Sequence, residues 1–155
     1  VLNYYRNHFF DNVAFGDDRI LRTPLYERKL ERFIKELTIQ SPDSLIRAAE
    51  FVISKASANK DVRNHTIWYL TSQYERPKVL GADALYVHLV EKYWLTKQYP
   101  VSDPSVLDKL RERMTTLKPL LVGMPFPALA VSDTLGKPIN VAGLKANYTV
   151  VQFYA

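Results

Sequence analysis

The chain has 155 residues, 47% hydrophobic and 24% charged, a balance that suits a packed globular core and excludes a disordered chain. It contains no cysteine, which rules out a disulfide framework, a thiolate metal site and a cysteine nucleophile within these residues. The formal net charge of +5 is spread along the sequence, whereas a nucleic-acid surface needs basic residues gathered on one face.

In chain order, residues 3–13 read as the end of a helix and residues 15–22 as a polar loop. Thr23-Pro24 then places an N-cap residue before a proline at the first helical position, where the missing N–H costs little. Tyr26, Leu30, Phe33 and Leu37 follow on one face at helical spacing. The surface of this helix, Glu27 to Glu36, mixes both signs and sets Glu31 against Lys35 one turn on, the pattern of a solvated face. Ser41-Pro42 repeats the start signal, ahead of a stripe made by Leu45, Ala49, Val52, Ile53 and Ala56. Asn59 is expected to cap a third long helix reaching Tyr74. Its run Ile67-Trp68-Tyr69-Leu70 predicts contact on several sides and a central position.

Pro77 and Gly81 mark a break. A helix over 82–95 carries Leu85, Tyr86, Leu89, Val90 and Tyr93 on one stripe. Ser102-Asp103-Pro104 starts the next, with Leu107, Leu110, Met114 and Leu117. Helices joined by short polar loops pack as antiparallel neighbours, so the expected class is mainly α: an antiparallel helical bundle or stacked helix pairs. Helix starts recur about every 18–20 residues, but the small and aromatic signature of a tetratricopeptide array is not recognisable.

Three prolines within Lys118–Pro127 cannot continue a helix and read as a linker. The domains are thus placed at 1–117 (helical), 118–128 (Pro-rich linker) and 129–155. In the last, residues 129–132 and 139–141 are short strands around Asp133-Thr-Leu-Gly-Lys137, where Gly136 supplies a positive φ. Thr149 to Ala155 is β-branched and aromatic, as expected for an apolar strand covered on both faces.

The histidines His8, His65 and His88 lack any ligand or catalytic spacing, and no phosphate loop or nucleophile elbow is present. His88, with Glu91 one turn on, is expected to be a helix-face or partly buried residue bonded locally. Asp17-Asp18 is expected to end structure and not to hold a cation. Among the aromatics, core packing is the first expectation. The alternative is a groove or partner surface built from Trp68, Tyr69, Tyr93 and Trp94. No cofactor, metal, nucleic acid or transmembrane segment is expected.

The order Gly123-x-Pro-x-Pro, strand, Asp133-x-x-Gly136-Lys, strand, then an apolar strand closing on Phe153-Tyr154-Ala155 resembles the opening of a thioredoxin-like domain of the TlpA/ResA and AhpC/TSA kind. Gly123, Pro125, Asp133, Gly136, Phe153 and Ala155 match that pattern. Tyr154 stands where Trp is commoner, and Ala146-Asn147 replaces a frequent Gly-Lys. The resemblance implies a strand, Phe153, Tyr154 and Ala155 at its end, that leads to a reactive Cys-x-x-Cys pair beyond Ala155. The chain is then expected to stop just short of the redox motif, and the start at Val1 implies a missing N-terminus. Tyr4-Tyr-Arg-Asn-His-Phe-Phe-Asp11, Leu21-Arg-Thr-Pro-Leu25 and Tyr86-Val-His-Leu-Val-Glu-Lys-Tyr93 resemble a helical domain of unknown function found ahead of such modules in cell-envelope proteins.

That likeness implies an exported, envelope or periplasmic parent protein, often lipid-anchored. The expected role is an accessory or partner-positioning domain of a thiol-disulfide oxidoreductase, acting on protein partners or substrate disulfides. The alternative is a non-enzymatic helical binding module attached to a redox-inactive thioredoxin-like fold. A strand built for a sheet interior also leaves open edges, so residues 129–155 are expected to self-associate through a strand of a second chain, to pack against the helices, or to be poorly ordered.

Overall fold

The computed structural model describes residues 2–127, 130–132, 134–144 and 147–152. The described residues form six α-helices: α1 Leu2–His8, α2 Pro24–Lys35, α3 Pro42–Ala56, α4 Lys60–Tyr74, α5 Asp83–Leu89 and α6 Pro104–Leu117. Two short strands follow, β1 Ala130–Ser132 and β2 Pro138–Asn140. The chain divides into two compact units, Val1–Val122 and Gly123–Ala155. The protein is mainly helical, as its periodicities predict.

Local chemistry sets the helix starts. Proline occupies the first turn of α2, α3 and α6. Asn59 accepts hydrogen bonds from the backbone N–H groups of Asp61 and Val62 at 2.8 and 3.2 Å, and Asp103 does the same for Ser105 at 2.9 Å. Thr23 and Ser41 make no such cap bond, although both helices start where expected. The fixed φ of the following proline begins these helices without it. The expected loop over 15–22 contains a 3-10 turn, Asp18–Arg22, which Asp17 caps while clamping the Arg19 guanidinium at 2.6–2.9 Å.

Each stripe read from the sequence points inward. Leu30, Phe33, Leu45, Val52, Ile67, Leu70, Leu85, Tyr86 and Leu89 are fully buried. Burying a Leu- or Phe-sized side chain contributes about 1.5–3 kcal/mol, so this cluster is the main source of stability. Helix α3 packs on α2, α4 and α5, and α4 packs on α3, α5 and the 3-10 turn, so α4 shares with α3 the central place its apolar run predicts. Trp68 departs from that run and lies at the surface.

Helix α5 does not run on unchanged to Leu95. Val90–Trp94 is a π-helical turn, marked by the Leu95 N–H bonding the Val90 carbonyl five residues back at 3.0 Å. Lys97, with φ of 60°, ends the segment. Helix α6 packs on α5 and the π turn.

In the second unit β1 and β2 pair antiparallel, with Ala130 opposite Asn140, Val131 opposite Ile139 and Ser132 opposite Pro138. Gly136 has φ of 78° in the connection, the left-handed conformation expected of it. Thr149–Gln152, the described part of the expected apolar strand, is not in a strand. Among the described residues no strand lies beside it, and an extended segment without a hydrogen-bonded neighbour is not a sheet strand. Asp133, Phe153, Tyr154 and Ala155 lie outside the described residues.

Candidate functional site

The π turn has a geometric consequence. On a regular α-helix, residues five apart are separated by about 140° around the axis, so His88 and Tyr93 would point to different neighbours. The wider π turn brings Tyr93 round to the face that carries His88 and Lys92. All three meet one carboxylate, Glu50 on α3. His88 Nε2 lies 2.8 Å from Glu50 Oε1. The Lys92 ammonium and the Tyr93 hydroxyl donate to Oε2 at 2.6 and 2.9 Å.

Burial pushes the Glu50 carboxyl up, but the hydrogen bonds from Lys92, His88 and Tyr93 outweigh it and hold the group below its ordinary value. Tyr93 is pushed upward, first by burial and then by donating to an anion. The Arg63 guanidinium sits 5.5 Å from the Tyr93 ring centre and donates to the Gln98 carbonyl at 3.0 Å. A carboxylate with both oxygens engaged serves as a clamp between helices more readily than as a free base.

Two threonines on α4 extend the arrangement into the core. Thr66 and Thr71 each return a hydrogen bond to the carbonyl four residues earlier, at 2.7 Å. Each also accepts a bond from a ring on a neighbouring element. Tyr26 of α2 reaches Thr66 at 2.6 Å, and the Trp94 indole N–H reaches Thr71 at 3.0 Å. Trp94 also packs against Tyr99, with ring centres 4.0 Å apart. These polar ties were missed from the sequence. Their only signal is a pair of threonines at the edges of an apolar run.

The four residues expected to form a partner surface do not share one. Trp68 is 46% exposed, whereas Tyr69, Tyr93 and Trp94 are buried. The rings of Tyr93 and Trp94 belong to the clamp and the core, because the π turn faces α3 and α4. Trp68 sits beside His65, ring centres 5.6 Å apart, and His65 Nε2 lies 3.0 Å from Glu27 Oε1 on α2. His88 bonds Glu50 across the bundle and not Glu91, which instead takes the ammonium of Lys118. Among the described residues no group of three His, Asp or Glu side chains comes together to hold a metal ion. Nor is any described helix long and apolar enough to cross a membrane.

Fold and clamp together define a helical domain in which one carboxylate joins α3 to α5 and the π turn that follows it. Residues 2–118 match a family described as a domain of unknown function, DUF5106, and the chain belongs to that family. Comparison with curated proteins and with solved structures gave no match.

Proposed function

We propose that the DUF5106 domain of this chain is an accessory domain that positions a thioredoxin-like thiol-disulfide oxidoreductase module, or selects its partners, in the cell envelope. The observation that carries the proposal is the hairpin in the second unit. Strands Ala130–Ser132 and Pro138–Asn140 with Gly136 at positive φ fit the opening of a thioredoxin-like domain, whose sequence pattern residues 123–155 resemble. In that fold the reactive cysteine sits at a helix N-terminus, where backbone N–H groups and the helix dipole favour the thiolate. The helical unit supports a non-catalytic role, since its Glu50 cluster ties helices together with both carboxylate oxygens engaged.

The gene tests the proposal. Codons after Ala155 that encode a Cys-x-x-Cys pair within the next several residues support it. A reading frame that stops there, or continues through a thioredoxin-like domain without cysteine, sinks the redox assignment. The latter outcome favours a non-enzymatic binding module, for which exposed Trp68 is the specific observation.

A further inference from the structure

The connection between α4 and α5 carries cations that the bundle does not use. Arg76 and Lys78 are exposed, and neither enters an ion pair or side-chain hydrogen bond among the described residues. Arg113 of α6 reaches toward the same loop. Its Nη2 donates to the Glu75 carbonyl at 3.3 Å, while its Nε is buried without a hydrogen-bond partner. Arg113 lines the same groove as Arg76 and Lys78, which adds a third cation to the loop.

Grooves lie on both sides of this loop, of about 490 Å³ toward Lys35 and Gln73 and about 470 Å³ toward Arg113 and Leu117. Arg76, Pro77, Lys78 and Val79 line both, so the loop is a ridge with cations facing each side. Each volume falls within the range of about 300–1,000 Å³ usual for ligand sites. The ridge is stiff. Pro77 fixes its own φ, and Gly81 takes φ of 81° where an added Cβ would meet Pro42 Cγ at 3.3 Å. Leu80, 87% exposed, crowns it beside half-exposed Val79.

From this we infer that the α4–α5 ridge is a docking site for an acidic peptide segment that carries an apolar residue beside its carboxylates. Charge complementarity supplies the first half of the match, through Arg76, Lys78 and the charge of Arg113. Leu80 and Val79 supply the second, because an inorganic anion leaves both in water. A nucleic acid fits less well. The aromatic ring among the groove walls, Tyr74, is buried and offers no stacking platform. The inference is independent of the redox proposal, since it uses residues of the helical unit alone.

Fluorescence anisotropy with a labelled peptide of repeating Leu-Glu-Asp units tests it on the whole chain. Saturable binding is expected, weakened about tenfold or more by the double variant Arg76→Glu/Lys78→Glu and also weakened by Leu80→Ser. Unchanged urea midpoints establish that these exposed loop variants still fold. No saturable binding overturns the inference, as does affinity unchanged in the charge-reversed variant. Loss with the charge reversal but none with Leu80→Ser means a site for anions only and also overturns it. Displacement of the peptide by inorganic phosphate or by a single-stranded oligonucleotide at equal charge concentration does the same.

Discussion

Glu50 is the residue on which the clamp depends. Removing its carboxylate leaves the hydroxyl of Tyr93, a residue only 4% exposed, without its acceptor and frees His88 and Lys92 together. Glu50→Ala is therefore expected to cost about 1–3 kcal/mol in urea unfolding, the usual penalty for stranding a buried polar partner. The pH dependence has a definite sign. The folded carboxyl lies below its ordinary value, so its contribution is present above the unfolded pKa and fades as pH falls through the lower folded one. Glu50→Gln should flatten that acid limb of the stability curve; an unchanged limb would remove Glu50 from it. None of this was legible in the sequence. Glu50 and His88 are 38 residues apart, and Glu91 offers His88 a nearer partner that it does not take.

At the scale of elements, helix starts and buried stripes were legible, and a change of winding inside a helix was not. Proline and asparagine signals placed α2, α3, α4 and α6 because capping is local chemistry. The π turn at Val90–Trp94 escaped notice, since Leu85, Leu89, Val90 and Tyr93 fit a regular stripe as well as a widened one. It showed only as one apolar residue too many, Trp94, next to Tyr93. The tie between this turn and α4 runs through Thr71, and it separates hydroxyl chemistry from shape. Thr71→Val keeps the volume but strands the Trp94 N–H, with an expected loss of about 1–3 kcal/mol. Thr71→Ser should recover most of it by returning the hydroxyl. A valine variant as stable as the parent in urea melts would show the bond to be dispensable.

Across the whole molecule, the bundle hides several phenols. Burial pushes Tyr26, Tyr74 and Tyr86 up to about 12 from an ordinary 10.0. The neutral rings are favoured inside, so their contribution is complete below pH 10 and is lost as pH rises through about 12. Tyrosinate absorbance of these rings should therefore appear together with unfolding, and a rise that precedes loss of helical circular dichroism would contradict their burial. The mainly helical class and the hairpin were readable from period and turn chemistry. The partner surface was not, because burial of Tyr93 and Trp94 depends on packing among helices distant in sequence. The proposed role of the helical unit, to position a thioredoxin-like module or select its partners, is tested most directly by substrate choice. The gene product is to be compared with a form lacking residues 2–122 for reduction of a small disulfide and of a protein disulfide. The account predicts that the small-molecule rate survives while the protein rate falls by about tenfold or more. Equal rates on both substrates, or equal loss on both, would contradict it.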